Sequence, residues 1–329
     1  MVVEKHYAVK PGVRVRVLVT GGTGYLGRAI VGRLAARGHA PVVFARSASK
    51  SGLPGTMVDA DIRDAGAVER AASGCDAICH TAALVSVWRP RREEFDEVNV
   101  GGLRHTLNAA RNLHISRIVY TSSFLALPPT GTRAAMQAND YQRTKVIADR
   151  VAREASEAGA PIIFMYPGVI YGPGVHTEGN LIGRMIADHL RGALPGLIGA
   201  DRRWSYSYVD DVAAGHVEAL ERGAIGATYR LCGENAPQMR IFEIVRELTG
   251  RKLPRRIPFW AASALARVEE LKARAIGRPP LLTRGVVDIF RHEWAYDSDD
   301  AIRELGYRIT PLADGVARTI ANLSVCRGV

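Results

Sequence analysis

Residues 13–27 read V-R-V-R-V-L-V-T-G-G-T-G-Y-L-G, and this run decides the fold. Its first eight residues alternate and then become continuously apolar, as a parallel strand buried on both faces does. A glycine-rich turn follows at once, and an apolar-periodic helix then extends to about Arg37. Gly21, Gly24 and Gly27 recur at G-x-x-G-x-x-G spacing. Each has a physical reason: a tight turn, close approach of backbone to a pyrophosphate, and close packing of helix on strand. With Thr23, Tyr25 and Leu26 they form the cradle, and the phosphates fall on free N–H groups at a helix N-terminus. A second strand over residues 41–45 completes the β-α-β unit that makes this a dinucleotide site.

The pattern repeats outward. Strands are expected at residues 56–59, 76–80 and 118–123, with a long helix from about residue 94 to 113 holding V-N-V-G-G. Strands recurring at α/β spacing imply a Rossmann-type, doubly wound parallel sheet. The expected division is an extension over residues 1–12, a nucleotide-binding domain over 13–171 and a mainly substrate-binding α/β portion over 172–329. The second half reads as irregular, with later segments returning to the sheet.

The end of the second strand bears on the cofactor. An acid there would accept the ribose 2′-hydroxyl of NAD, whereas a cation accommodates the 2′-phosphate of NADP. The chain reads F-A-R-S-A-S-K, with Arg46, Ser47 and Lys50 and no carboxylate, which favours NADP over NAD. Asp61, followed by Ile62, is placed to accept from the adenine amino group, and Asp64 is expected to cap the next helix. Ala82 and Ala83 are small enough for close approach to a cofactor ribose.

The chain has 329 residues, 47% hydrophobic and 23% charged, the make-up of a globular protein with room for a large unit and an appendage. Its formal charge of +11 favours anionic ligands and surfaces, but the arginines are scattered without interleaved aromatics, which argues against a nucleic-acid site. The four cysteines, Cys75, Cys79, Cys232 and Cys326, lack metal-ligand spacing and read as reduced and structural, so no metal is expected. Neither a signal core nor a membrane-spanning run is visible, and a cytoplasmic location is expected.

Y-Q-R-T-K places Tyr141 and Lys145 at i and i+4, on one helical face. At ~5 Å and an effective dielectric of ~20 the pair energy is about 3 kcal/mol, enough to lower a phenol by roughly two units. Such a group donates a proton to an alkoxide or accepts one from an alcohol. Thr121, Ser122 and Ser123 end the preceding strand with three hydroxyls.

T-G-G-T-G-Y-L-G, A-D-I, T-A-A, V-N-V-G-G, Y-T-S-S, Y-Q-R-T-K, Y-P-G-V-I-Y-G-P-G and Y-S-Y-V-D-D-V, in this order, resemble the extended short-chain dehydrogenase/reductases over residues 14–323. A-A-L-V-S-V-W, Y-T-S-S-F-L-A-L and R-H-E-W-A-Y-D are most similar to the branch of dihydroflavonol reductases and farnesol dehydrogenases. The resemblance implies Tyr141 as acid/base, Lys145 as its partner and a ligand of the nicotinamide ribose, and Ser123 orienting the substrate oxygen. It also implies Asn99 near a proton relay, Thr121 on the cofactor, and Pro167, Gly168, Val169 and Ile170 bordering the nicotinamide.

The substrate side departs from the family. Only 17 residues separate Ser123 from Tyr141, fewer than this branch usually has, which implies a more open or differently shaped pocket. Many nucleotide-sugar members carry a diphosphate-binding arginine where this chain has Trp204. Trp88, Phe124, Trp204 and Trp260 are candidates for an apolar lining, with Asn180 and Arg202–Arg203 able to replace part of the lost polarity. Residues 259–276 read as a packed helix. The expected function is an NAD(P)-dependent oxidoreductase interconverting a hydrophobic alcohol and carbonyl compound. The alternatives are a nucleotide-sugar epimerase/dehydratase with tightly held NAD and a non-catalytic cofactor-binding scaffold. A homodimer through helices 94–113 and 140–158 is expected.

Overall fold

The computed structural model describes residues 13–174 and 177–325, so the expected 1–12 extension and Cys326 lie outside the described residues. The main sheet holds β1 (Arg16–Thr20), β2 (Ala40–Ala45), β3 (Thr56–Asp59), β4 (Ala77–His80), β5 (Ile118–Thr121), β6 (Ile162–Pro167) and, after β7 to β9, β10 (Thr228–Leu231). Its order is β10-β6-β5-β4-β1-β2-β3 with every pair parallel. Strand order reverses between β1 and β4, the switch point outside which ligands bind in such sheets.

Both faces are buried, which is why β1 reads as continuously apolar. Val17 and Val19 face one core with α1 (Tyr25–Ala36) and α7 (Val209–Arg222). Leu18, Ile78, Ile118 and Phe164 face the other, beneath α2 (Ala65–Ala72), α4 (Gly102–Asn112) and α5 (Asp140–Glu157). Asp64 caps α2 by accepting from Ala67 N–H at 3.0 Å. The helix expected over 94–113 is broken into three: α3 (Glu93–Phe95), a π-helical segment (Asp96–Gly101) and α4. Gly102, the last residue of V-N-V-G-G, sits where a Cβ would lie 2.6 Å from Ile62, so its absence lets that side chain pack under the helix.

The second half builds a smaller α/β portion from α6 (Leu181–Arg191), β8 (Leu197–Ile198), α8 (Gln238–Thr249), β12 (Arg256–Ile257), α9 (Phe259–Ile276), α10 (Arg284–Arg291) and α12 (Leu312–Val325), while Ala301 and Leu305 of α11 (Asp299–Leu305) return to the main sheet's core beside α7. Its three-stranded sheet runs β11-β9-β7, with β7 (Val169–Tyr171) parallel and β11 (Glu234–Pro237) antiparallel to β9 (Arg203–Tyr208). Trp204 and the fully buried Trp294 form its core with Phe124, whose ring centroid lies 5.5 Å from that of Trp294.

The short link between Ser123 and Tyr141 is clamped. Thr130 N–H donates to the Glu293 carbonyl at 2.9 Å, and its hydroxyl oxygen accepts from Ala295 N–H at 2.9 Å. The Tyr296 hydroxyl donates to the Pro128 carbonyl. The same 294–296 run also pairs with β9 through Ser205 and Trp294. R-H-E-W-A-Y-D therefore bridges the three-stranded sheet and the link. Trp294→Ala should cost about 3–5 kcal/mol in denaturant unfolding, because no neighbour can collapse into the space beside Phe124. A loss below 1 kcal/mol would show the bridge to be dispensable.

Candidate active site

The cradle at the switch point fits a dinucleotide. Gly24 N-caps α1 without a side-chain cap. Gly21 adopts φ +69°, and a Cβ there would lie 2.7 Å from the Ala82 Cα; one at Gly27 would lie 2.2 Å from the Gly21 carbonyl oxygen. Turn, helix and the exit of β4 are thus drawn together as only glycines permit. Tyr25 and Leu26 are buried in the core, leaving their backbone N–H groups to face a phosphate. The Thr23 carbonyl accepts from Arg28 Nε at 3.2 Å, a tie absent from the sequence reading.

At the far end, Arg46 and Lys50 are exposed, and among the described residues their side chains have no hydrogen bond or ion pair. Asp59, paired in register with Ala45, is engaged by the Ser49 N–H at 2.8 Å and the Ser49 hydroxyl. Asp61 is taken up by Arg63 at 2.8 and 3.0 Å, which holds its carboxyl below the usual range. Any adenine contact by Asp61 would be shared with Arg63. Ile62 packs against Gly102.

Thr121, Ser122 and Ser123 are buried at the carboxyl end of β5. Ser123 accepts from Leu125 N–H at 3.2 Å and lies beside the Tyr141 phenol of α5, whose pKa it lowers. One turn on, Lys145 Nζ donates to the Thr121 carbonyl at 3.0 Å and lies 5.9 Å over the Tyr120 ring. The expected lowering of the phenol does not occur: burial pushes Tyr141 up to about 12, with Ser123 opposing. Burial lowers Lys145 to about 8, and Asp149 opposes this. The ammonium is committed to the β5 carbonyl, so desolvation dominates both groups.

Asp149 was not singled out from the sequence, although Tyr141, Lys145 and Asp149 follow at four-residue spacing on one face. It accepts from Ser122 Oγ at 2.8 Å, from the Tyr166 hydroxyl and from Arg153 Nε at 3.0 Å. Behind Thr121, the His216 Nδ1–H donates to the Val212 carbonyl at 2.8 Å, so Nε2 accepts from the Thr121 hydroxyl at 2.9 Å.

Asn99, in the π-helical segment, holds two elements together. Its Oδ1 accepts from Leu84 N–H at 2.7 Å and its Nδ2 donates to Thr144 Oγ1 at 2.9 Å. It positions the loop after β4, which holds Ala82, Ala83 and Trp88, against α5. Pro167, Gly168, Val169 and Ile170 pass from β6 to β7 beside β9, where a Cβ on Gly168 would lie 2.6 Å from the Ser205 carbonyl.

The substrate candidates separate. Trp88 is half-buried in the loop tied by Ser86 and Arg89. Phe124 and Trp204 belong to the core, Trp204 donating to the His292 carbonyl at 3.2 Å. Asn180 caps α6 through Gly183 and donates to the Gly172 carbonyl at 3.2 Å, so both ends of its amide are used. Trp260 is 77% exposed. Burial is the reason that Phe124, Trp204 and Asn180 leave the expected lining.

Fold and site together define a nucleotide-binding α/β protein of the extended short-chain dehydrogenase/reductase type. Residues 17–232 match the NAD dependent epimerase/dehydratase family, and the chain belongs to it. A Synechocystis sp. relative named for dihydroflavonol 4-reductase is 30% identical over 324 residues, covering 92% of each chain. The "Sterol demethylase protein B" of Methylococcus capsulatus is 30% identical over 321 residues, covering 92% of this chain and 97% of its own. The crystal structure of gox2253 superposes with a TM-score of 0.81 at 29% identity, covering 95% of this chain and 99% of the other.

Methyl-lysine NMR should find Lys145 titrating near 8. Asp149→Asn should move the midpoint lower, because removing a nearby carboxylate favours the neutral amine. A midpoint in the ordinary lysine range would contradict the geometry.

Proposed function

We propose that this protein is an NAD(P)-dependent oxidoreductase that interconverts a hydrophobic alcohol and the corresponding carbonyl compound. The observation that carries this reading is the Lys145 Nζ bond to the Thr121 carbonyl at 3.0 Å, which seats Tyr141, one turn earlier on the same helix, at the end of β5 beside Ser123. A nicotinamide cofactor, when bound, supplies or accepts the hydride. Gly21, Gly24 and Gly27 would hold its pyrophosphate, and Ala82 and Ala83 would admit its ribose.

The chain's own groups handle the proton. With its phenol raised to about 12, Tyr141 is protonated at neutral pH and suits donation to an oxygen that is becoming an alkoxide. Ser123 Oγ orients that oxygen. Lys145 contributes positive charge behind the phenol, where little water screens it. In the opposite direction the phenolate form of Tyr141, stabilised by the same ammonium, takes the alcohol proton and returns to the phenol. Thr121 places Lys145, Asn99 places the loop beyond β4, and Asp149 favours the protonated lysine.

A hydrophobic substrate is supported by the fate of Trp204. Its indole is built into the core and cannot stand in for a diphosphate-binding arginine. The names of the two relatives, one for dihydroflavonol 4-reductase and the other "Sterol demethylase protein B", point the same way. NADP is favoured over NAD, since Arg46 and Lys50 are uncommitted while Asp59 and Asp61 are engaged.

Tyr141→Phe should lower turnover of apolar ketones by about 10²–10⁴-fold, with the cofactor-induced rise in unfolding midpoint unchanged. Unimpaired turnover would sink the mechanism. Arg46→Ala should weaken NADP by about 10–100-fold, the worth of one charge-assisted hydrogen bond, and leave NAD binding unaltered. Equal effects on both cofactors would remove the case for NADP.

A further inference from the structure

Helix α9 is packed on only one narrow face. Ala262, Ala266 and Ala273 are buried, the first two against Val287 of α10. At about 100° per residue, the opposite face carries Trp260, Ala264, Val268, Leu271 and Ala275 within an arc of about 80°, with no polar side chain among them. All five are exposed: Trp260 at 77%, Leu271 at 64% and Val268 at 48%, with both alanines open as well. Ile276 and Leu281 extend the patch at 64% and 69%. A soluble helix of this kind ordinarily turns polar residues outward, and a contiguous apolar patch marks a surface that is covered in use.

The charge around the ridge indicates by what. Residues 251–284 contain nine basic and two acidic residues. Both acids point back into the fold: Glu269 accepts from Lys272 Nζ and Leu281 N–H at 3.1 Å each, and Glu270 binds Arg284 at 2.8 Å. Arg267 and Arg274 flank the ridge and Arg278 follows it, and among the described residues none of the three has an ion pair. An exposed tryptophan and aliphatic ridge bordered by unpaired arginines matches an anionic lipid surface: the ridge enters the acyl boundary and the guanidiniums meet the phosphates. A second copy fits worse, since a two-fold contact along the ridge would set Arg267 and Arg274 against their own counterparts. No described helix is long and apolar enough to cross a membrane, so the contact is peripheral.

We propose that α9 docks this protein onto the surface of an anionic bilayer. The position has a consequence for the active site. Helix α10, on which α9 rests, brings Gly285 so close to Ala138 that a Cβ would lie 2.1 Å from its carbonyl oxygen, beside the Asn139 cap of the Tyr141 helix. Docking through α9 therefore sets a bilayer two packed layers from the start of α5. The exposure and charge of α9 do not depend on what the substrate is.

The test is co-sedimentation of the full chain with phosphatidylcholine vesicles and with vesicles containing about a quarter phosphatidylglycerol. The chain should pellet with the anionic vesicles at least about tenfold more strongly than with the neutral ones, and high salt should release it. Trp260 fluorescence should shift to the blue on binding. Val268→Glu/Leu271→Glu should reduce binding by about tenfold or more, with an unchanged unfolding midpoint and unchanged cofactor binding, since both positions are exposed. Arg267→Glu/Arg274→Glu should remove the preference for anionic vesicles. The proposal is overturned if the chain binds neither vesicle, or if the apolar double variant binds as the parent does. It is equally overturned if that variant only splits a dimer of a chain that ignores vesicles.

Discussion

A buried ammonium needs a fixed acceptor, and for Lys145 that acceptor is the carbonyl of Thr121 at the end of β5. This single contact ties the long helix α5 to the central strand at the point where the sheet ends. Everything proposed for the chemistry takes its place from it. Tyr141 lies one turn earlier on α5, and Ser123 lies two residues beyond the acceptor. Asp149 lies one turn later, held by Ser122 from the same strand end. Helix and strand are thus joined at two levels by side chains that the proposed chemistry also uses, so a disturbance of packing there would be a disturbance of the proposed site.

The glycine cradle works through absence of side chains, and for that reason it was legible in the sequence. At Gly21 and Gly27 any Cβ would strike backbone rather than a movable side chain. The strand periodicity before the cradle was equally plain, because β1 is covered on both faces and reads as apolar throughout. The shared helix face of Tyr141 and Lys145 was legible by spacing, since i and i+4 on a helix is local geometry. So was the cap at Asp64, which depends only on residues three positions away.

What the sequence concealed depends on distant partners. The π-helical widening around Asn99 serves Leu84 and Thr144, fifteen and forty-five residues away. The short link from Ser123 to Tyr141 implied a more open or differently shaped pocket, but nothing local showed that it is clamped by residues 293–296 from beyond the second sheet. Trp204 looked like a pocket residue because an arginine was expected there, and only the surrounding Phe124, Phe290 and His292 show it to be core. The outward ridge of α9 could not be told from a core-facing one, because its buried face consists of alanines whose partners lie on α10.

The phenol expectation failed for a reason that bears on the proposed reaction. Coulomb attraction between Tyr141 and Lys145 was expected to set the phenol's acidity, but burial acts on both groups and acts in opposite senses. It raises the tyrosine towards its neutral form and lowers the lysine towards its own. At neutral pH the resting pair is therefore a neutral phenol beside a lysine that is still mostly protonated. When negative charge develops on a substrate oxygen beside Ser123, it does so next to a phenolic proton and a lysine that retains its charge with the help of Asp149. An arrangement of this kind favours the developing alkoxide over the neutral carbonyl, and that difference, rather than tight binding of the substrate, lowers the barrier.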